Sequence, residues 1–224
     1  MVTGSASGIG AATSNALAGR GWRVVGIDLH PSATDLSFEV DVRDREGLSW
    51  AVSAAADELG GVDLLVTAAG YYEIIPIDEL DEETWLRMLE VILGGTVNAC
   101  AAVLPHMVAR GHGSIVAISS ELALSGSDRD AHYATAKGCV LGFIKSLALE
   151  VAEAGVRVNS VAPGPTDTPL LEEGSPWRAA DYLATLPLRR LVAPEEVAAA
   201  VLFLATEGTY FCGEVISPNG GAVI

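Results

Sequence analysis

The chain has 224 residues, of which 50% are hydrophobic and 19% are charged, and its mean hydropathy is +0.38. This composition excludes intrinsic disorder, and three cysteines are too few for a small fold built on disulfides. The net charge of −16 argues against nucleic acid or an anionic membrane as a partner, because both would repel the protein. The length suits one α/β domain or two small ones.

The predicted strands are seven short runs, most of them continuously apolar. Strands of this kind are buried on both faces, which is typical of a parallel sheet covered by helices. The first run has only three residues, which is short for a strand expected at the centre of such a sheet. The predicted strands are Met1–Thr3, Trp22–Asp28, Ser37–Asp41, Val62–Ala68, Ser114–Ser119, Arg157–Ala162 and Glu214–Ser217.

Alanine-rich segments with helical periodicity lie between these runs. Asp81 suits the N-cap of the third helix and Pro194 the first position of the last. Glycines follow the first four helices at the left-handed C′ position. The alternation predicts a single doubly wound parallel sheet (Rossmann-type) with helices on both faces and an abbreviated first strand, in one domain over residues 1–224. The predicted helices are Ile9–Arg20, Arg45–Leu59, Glu82–Ala109, Asp130–Ala154 and Pro194–Ala205, and the glycines are Gly21, Gly60, Gly111 and Gly155.

A glycine-rich turn, Thr3–Gly10, connects the first strand to the first helix. Its glycines permit positive φ angles and the close approach of a pyrophosphate, which would bind at the helix N-terminus. Asp28 ends the second strand about 20 residues on, where a carboxylate accepts hydrogen bonds from a ribose 2′-hydroxyl. A carboxylate repels a 2′-phosphate and Ser5–Ser7 offer no cation, so the sequence favours NAD over NADP. An ordinary loop carboxylate is the alternative for Asp28.

Tyr133 and Lys137 are four residues apart near the start of a predicted helix and therefore share one face. A nearby ammonium stabilises phenolate and would lower the tyrosine pKa from about 10, which suits a general acid/base. Ser120 ends a predicted strand, at the edge of the sheet where ligands bind. Lys137 is one of only two lysines beside eleven arginines, which argues against a simple surface charge.

The order and spacing of these motifs resemble the short-chain dehydrogenase/reductase family over essentially the whole chain, through Asn219–Gly221. The resemblance implies hydride exchange between a nicotinamide and a carbinol or carbonyl carbon. In that reaction Tyr133 is the general acid/base, Ser120 orients the substrate oxygen and Lys137 holds the nicotinamide ribose. The cofactor-binding residues it implies are Gly4, Ser7, Gly8, Ile9, Gly10, Asp28, Asp41, Val42, Ala69, Gly70, Tyr133, Lys137, Pro163, Gly164, Thr166 and Thr168, with a substrate loop at about 165–190.

The resemblance also implies a homo-oligomer, a dimer or a homotetramer, formed through the two long helices and the C-terminal strand. From the residues alone, only one apolar helix face supports this, and that face would pack equally well on the sheet. It consists of Val140, Phe143, Leu147 and Val151.

The sequence departs from the family pattern at two places. The segment that reads Asn-Asn-Ala-Gly in the family is Thr67–Gly70 here. By counting back from Leu104–Met107, the helix asparagine of the family's catalytic tetrad falls on Ile92, which has no hydrogen-bonding side chain. In the family that position helps to hold a water beside the lysine. We therefore expect a weakened proton relay, with hydride transfer retained.

Other candidate residues have simpler interpretations. His132 and Tyr133 are consecutive residues of the predicted helix, so their side chains point about 100° apart and do not share a face. Histidines 30, 106 and 112 form no cluster with it, and no metal is expected. The aromatic residues Tyr71, Tyr72, Trp177 and Tyr182 either line a substrate pocket or make core and subunit contacts.

The cysteines and the absence of a targeting segment indicate the cytoplasm. Cys100, Cys139 and Cys212 are far apart and form no C-x-x-C pair, so we interpret them as buried free thiols in a reducing compartment. No signal peptide opens the chain, and charge or glycine breaks its apolar stretches well short of about 20 residues, so no membrane-spanning helix is expected.

We expect an NAD-dependent secondary-alcohol dehydrogenase or ketone reductase acting on a small molecule. A 3-oxoacyl-thioester (acyl-carrier-protein) reductase is the nearest alternative, but it would ordinarily require NADPH and a basic docking patch. A non-catalytic NAD-binding sensor would fit Ile92 and the short first strand, yet has no need for the serine, tyrosine and lysine together. A methyltransferase that uses S-adenosylmethionine would leave the same set unexplained.

Overall fold

Seven parallel strands form one sheet in the order β3-β2-β1-β4-β5-β6-β7, so the predicted doubly wound sheet is confirmed. The computed structural model describes residues 1–224. Each predicted strand is present, with shorter ends in most cases. The strands are β1 (Val2–Thr3), β2 (Val25–Asp28), β3 (Leu36–Glu39), β4 (Leu64–Thr67), β5 (Gly113–Ile118), β6 (Val156–Val161) and β7 (Val215–Ile216).

The first strand has two residues, yet it lies at the centre of the sheet between β2 and β4. Val2 is opposite Gly26 on one side and Val66 on the other. Hydrogen bonds beyond the strand lengthen the pairing, because the Val66 amide donates to the Met1 carbonyl at 2.9 Å and the Gly4 amide donates to the Ile27 carbonyl at 2.9 Å. A short strand therefore suffices here.

All five predicted helices are present, and the third has an unpredicted internal feature. A π-helical turn, Glu90–Gly94, divides it into α3 and α4. Asp81 caps α3 by accepting a hydrogen bond from the Thr84 amide at 2.8 Å, as predicted. The helices are α1 (Gly8–Ala18), α2 (Arg45–Leu59), α3 (Glu82–Leu89), α4 (Gly95–Arg110), α5 (Leu122–Ser125), α6 (Ala131–Val151), α7 (Ala180–Thr185) and α8 (Pro194–Thr206), with 3₁₀ turns at Ala152–Ala154 and Pro176–Arg178.

Two apolar layers cover the two faces of the sheet. Alternate residues of β5 point to opposite faces, so Ile115 belongs to the core beneath α2, α4 and α6, and Val116 belongs to the core beneath α1 and α8. Strands buried on both faces are thus confirmed. The apolar face of α6 packs on the sheet, because Val140, Leu147 and Val151 are buried in the first of these layers.

The helical stretch Glu82–Arg110 bears on the expectation that no helix spans a membrane. Its 29 residues are long and apolar enough to cross a membrane by length and composition. Core helices of globular proteins satisfy the same test, and 39% of its most apolar window is buried in this fold. Gly94 and Gly95 interrupt the apolar run, as expected from the sequence, but they do not end the helix.

The cysteines differ from the expectation of buried thiols. Only Cys100 is buried, whereas Cys139 and Cys212 are exposed, and all three are free. Cys139 lies on the outer side of α6 because its neighbours Ala136 and Val140 occupy the side that faces the sheet.

Candidate active site

The turn after β1 is folded tightly enough that only glycine fits at two of its positions. Gly4 has a φ of +68°, and a Cβ there would lie 2.8 Å from the Ala69 amide nitrogen. A Cβ at Gly10 would overlap the Gly4 carbonyl oxygen. The turn therefore lies directly against the turn that follows β4. Because the Ser7 side chain makes no capping hydrogen bond, the first amides of α1 are left to bind an acceptor.

Asp28 lies at the end of β2, beside the glycine turn. Its carboxylate accepts hydrogen bonds from the Ala6 amide at 3.0 Å and from the His30 amide at 3.1 Å. These two bonds fix the carboxylate while leaving it further capacity to accept from a hydroxyl. Arg43 is the only cation that lines this cleft, and it is paired with Asp41 at 2.6 Å.

The glycine turn and Asp28 line a cleft. This cleft adjoins a second cavity, and residues of the turns after β1 and β4 line both. All the residues predicted to bind the cofactor line one or both of these spaces. The first is lined by Gly4, Ser7, Gly8, Ile9, Gly10, Asp28, Asp41, Val42, Ala69, Gly70 and Thr168, and the second by Ile9, Gly70, Tyr133, Lys137, Pro163, Gly164, Thr166 and Thr168.

The second cavity brings together the three predicted catalytic residues, Ser120, Tyr133 and Lys137. Ser120 follows β5, whereas Tyr133 and Lys137 occupy the first two turns of α6. The two elements are joined at this point, because the Ser119 hydroxyl donates to the Lys137 carbonyl at 2.9 Å and the Lys137 ammonium donates to the Ile118 carbonyl at 2.9 Å.

Burial dominates the electrostatics of the tyrosine and the lysine. It raises the pKa of the Tyr133 phenol, and the negative charges of Glu121 and Asp130 raise it further, against an opposing effect of the Ser120 hydroxyl. Lys137 does not produce the expected lowering, because its ammonium is directed to Ile118 and lies 5.8 Å from the centre of the tyrosine ring. Burial lowers the pKa of Lys137 itself to about 8.

Ile92 lies close to the lysine, where the sequence count placed it. It is buried within the π-helical turn, and a Cβ on Gly70 would be 3.7 Å from the Ile92 Cγ1 and 3.9 Å from the Lys137 Nζ. Both side chains therefore lie beside Gly70. The Ile92 carbonyl already accepts a hydrogen bond from the Thr96 hydroxyl at 2.8 Å.

Aromatic side chains form one wall of the second cavity. Tyr72 packs edge-on against Tyr133, with ring centres 4.9 Å apart, and Trp177 from the predicted substrate loop lines the same space. The Trp177 indole donates to the Tyr72 hydroxyl at 2.6 Å, which donates to the Asp130 carboxylate at 2.8 Å. Tyr182 stacks on Trp177 at 4.8 Å. Of the two interpretations of these aromatic residues, pocket lining fits Tyr71, Tyr72 and Trp177.

Sequence reasoning missed two acidic residues of this region. Glu121 lines the second cavity and is 5% exposed; burial raises its pKa to about 7. Its place directly after Ser120, at the carboxyl end of a strand, was the available signal. Asp130 precedes α6 like an N-cap, yet it makes no capping bond, is fully buried and accepts from Tyr72 instead.

His132 is separate from the catalytic face, as predicted. It is fully buried and does not line the second cavity, and neither ring nitrogen has a hydrogen-bond partner. Burial lowers its pKa. No group of three or more histidine, cysteine or acidic side chains is arranged to hold a metal ion.

Comparisons with known proteins agree with this architecture. A family model described as enoyl-(acyl carrier protein) reductase matches residues 4–223. The chain is 40% identical over 239 residues to a cis-4-hydroxycyclohexanecarboxylate dehydrogenase of Sinomonas cyclohexanicum, covering 99% of this chain and 94% of that protein. It is 36% identical over 238 residues to the 3-oxoacyl-[acyl-carrier-protein] reductase FabG of Thermotoga maritima, covering 100% and 97%.

A solved structure shows the same fold. The ligand-free aldohexose dehydrogenase of Thermoplasma acidophilum superposes with a TM-score of 0.92 at 30% identity, covering 98% of this chain and 92% of that one.

Proposed function

This chain belongs to the short-chain dehydrogenase/reductase family, whose members are oxidoreductases that bind a nicotinamide cofactor, and from this premise we propose that it is an NAD(H)-dependent dehydrogenase of small secondary alcohols. The observation that carries the proposal is the meeting of Ser120, Tyr133 and Lys137 in a cavity that adjoins the cleft lined by the glycine turn and Asp28.

The positions of the side chains support a separate role for each of them. The first amides of α1 would hold the pyrophosphate, Asp28 the adenosine ribose and Lys137 the nicotinamide ribose. The bound nicotinamide supplies hydride transfer. The Ser120 hydroxyl would orient the substrate oxygen. The phenolate form of Tyr133 would take the proton of the alcohol, and its phenol form would return a proton to a ketone. The aromatic wall would exclude water from the reacting carbon.

Asp28 supports NAD as the preferred cofactor. Its carboxylate faces the cleft and the single cation there, Arg43, is neutralised by Asp41, so a 2′-phosphate would meet a negative site without a free positive partner. We expect a higher kcat/KM with NAD than with NADP. The variant Asp28→Ala should reduce the ratio of the kcat/KM with NAD to the kcat/KM with NADP. An unchanged ratio in the variant would remove Asp28 from cofactor choice.

A 3-oxoacyl-acyl-carrier-protein reductase is the second candidate, because several sequence relatives carry that name. A net charge of −16 and Asp28 weigh against it, since an acidic carrier protein and a 2′-phosphate would both be repelled. A 3-oxoacyl thioester therefore belongs in the substrate panel, beside cis-4-hydroxycyclohexanecarboxylate, aldohexoses and simple secondary alcohols.

We also propose that the protein is a cytoplasmic homo-oligomer, a dimer or a tetramer. Exposed apolar side chains on the long helices, such as Leu149 of α6 at 82% exposure, offer surface for a subunit contact. Light scattering of the purified protein tests it, and a monomer at micromolar concentration would contradict it.

The test of the enzyme proposal is NADH formation with the alcohols and aldohexoses of this panel and NADH consumption with the 3-oxoacyl thioester, run beside Tyr133→Phe. We expect the variant to lose about 10²- to 10⁴-fold in kcat, the range of general acid/base catalysis. Tyr210→Phe is the matched control, because this tyrosine is fully exposed and distant in sequence from the site. Turnover that survives in Tyr133→Phe would overturn the mechanism, and NAD binding without turnover of any alcohol would favour the sensor alternative.

A further inference from the structure

The second cavity contains only two charged residues, Lys137 and Glu121. The ammonium of Lys137 donates to the Ile118 carbonyl and forms no ion pair with the carboxyl group of Glu121. The mechanism proposed above uses the lysine and has no role for the glutamate. A buried acidic group beside the reacting residues therefore needs its own explanation.

The main chain holds Glu121 in place between β5 and α5. Its amide donates to the Pro163 carbonyl at 3.0 Å, and its carbonyl accepts from the Leu124 amide at 2.8 Å and the Ser125 amide at 3.0 Å. The residue is 5% exposed and lines the cavity. Its position is therefore set by the same strand end that positions Ser120.

The carboxyl group of Glu121 has no charged partner within the protein. Its own backbone amide and the Ser120 hydroxyl are the polar groups that act on it, and neither an ammonium nor a guanidinium pairs with it. Burying an acidic group without a cation is costly. Two weak donors leave a carboxyl group, which can accept about four hydrogen bonds, with spare acceptor capacity close to Tyr133.

We propose that Glu121 is a specificity-determining residue that accepts a hydrogen bond from a second hydroxyl of the substrate, so that the preferred substrates are diols, polyols or hydroxyketones. The inference rests on the proposed function and names its substrate class. Because Glu121 is adjacent to Ser120 and its charge acts on Tyr133, the second hydroxyl lies near the carbon that is oxidised.

The chemistry favours a hydroxyl over a charged group. Burial raises the pKa of Glu121 to about 7, so carboxylate and carboxylic acid are both present near neutral pH. A hydroxyl can hydrogen-bond to either form, whereas an ammonium pairs well only with the carboxylate. A substrate carboxylate would be repelled by the ionised form.

The test compares pairs of alcohols that differ by one hydroxyl, such as cyclohexanol and the cyclohexane-1,2-diols. The measured quantity is the ratio of kcat/KM for the diol to kcat/KM for the matched mono-alcohol. We expect Glu121→Met to lower this ratio by about 10- to 100-fold, the range of one hydrogen bond to a charged group. Glu121→Gln keeps an acceptor oxygen and should lower the ratio less. Glu153→Gln, an exposed glutamate after α6, is the control and should leave the ratio unchanged.

The outcomes separate this inference from the proposed function. If the wild type oxidises alcohols and Glu121→Met keeps the wild-type ratio, the inference is overturned and the proposed function stands. If the wild type oxidises no member of any pair, the proposed function itself fails. If Glu121→Met does not fold by circular dichroism, Glu121→Ala, which also removes the acceptor, decides, and an unchanged ratio in that variant also overturns the inference.

Discussion

At the scale of single residues, burying Lys137 in the candidate active site lowers the free energy of unfolding. Burial lowers its pKa from 10.5 to about 8, which means that the fold disfavours the charged amine that the proposed cofactor contact needs. Below pH 8 the lysine is protonated in both the folded and unfolded states, and the cost of burying its charge is complete. Between pH 8 and 10.5 the unfolded state binds more protons, so stability rises with pH.

We predict that the free energy of unfolding of the wild type, relative to Lys137→Met, increases by up to about 3 kcal/mol as the pH rises from 8 to 10.5. Denaturant titrations of both proteins across this range measure the difference, and groups common to both cancel. Lys145→Met, an exposed lysine of the same helix, is the control and should show no such dependence. A difference that is constant or falls with pH would contradict the prediction.

Ile92 offers a second test at this scale. We predict that Ile92→Asn raises kcat several-fold, because an amide beside the Lys137 amine would restore a polar contact for the proton relay. The same change should cost about 1–3 kcal/mol of stability, since it buries an amide in an apolar site. Turnover and denaturant titration measure the two effects, with Ile92→Val as the apolar control. An unchanged or lower kcat in a folded Ile92→Asn would argue against the relay.

At the scale of elements, a chain of two hydrogen bonds fastens the substrate loop to the start of α6. It runs from Trp177 in the loop through the Tyr72 hydroxyl to Asp130. Since Asp130 is fully buried and its second oxygen has no partner, the Tyr72 hydroxyl is the donor on which its carboxylate depends. Any change in Tyr72 therefore affects both the loop and the helix that carries Tyr133.

We predict that Tyr72→Phe lowers the free energy of unfolding by about 1–3 kcal/mol, the cost of leaving a buried polar group without a donor. It should also raise KM, because the indole of Trp177 loses its partner and the loop is held less firmly. Tyr71→Phe is the control, since the Tyr71 hydroxyl meets the exposed Arg87 at 3.2 Å. A stability equal to the wild type in Tyr72→Phe would show that the chain does not fasten the loop.

The elements also show what sequence reasoning can reach. Strands such as β5 and long helices such as α6 were predictable because their apolar pattern and capping residues are local signals. The π-helical turn at Glu90–Gly94 was not, because it shifts the periodicity by one residue within an otherwise continuous helix. The short helices α5 and α7 depend on contacts distant in sequence, which no local pattern encodes.

The candidate site was predictable to a similar extent. The glycine turn and the spacing of Tyr133 and Lys137 can be recognised in the sequence. The pKa of each side chain, by contrast, depends on its burial in the fold. Glu121 and Asp130 are ordinary acids in the sequence and become unusual only because the fold removes them from water. The sequence predicted a lowered pKa for Tyr133, whereas burial raises it. The spacing of the two residues indicates that they are close, but it does not indicate that the phenol is removed from water.

At the scale of the whole molecule, charge is the dominant property. The protein has 29 acidic and 13 basic residues, so its acidic surplus repels itself in the folded state. We predict that Tm rises when NaCl increases from about 0.01 M to about 0.15 M, which shortens the Debye length from about 30 Å to about 8 Å. Each 1 kcal/mol of relieved repulsion corresponds to about 2–4 °C. Scanning calorimetry measures it, with KCl as a check on ion identity, and a falling Tm would contradict it.

The central position of β1 has a consequence for how the polypeptide finds its shape. This strand precedes both of its neighbours along the chain, by 24 residues from Val2 to Gly26 and by 64 from Val2 to Val66. Closing the longer loop costs about 0.9 kcal/mol more in chain entropy than closing the shorter one. The half of the sheet that will carry Asp28 is thus favoured to form first, and the half that will carry Tyr133 would be added to a nucleus already in place.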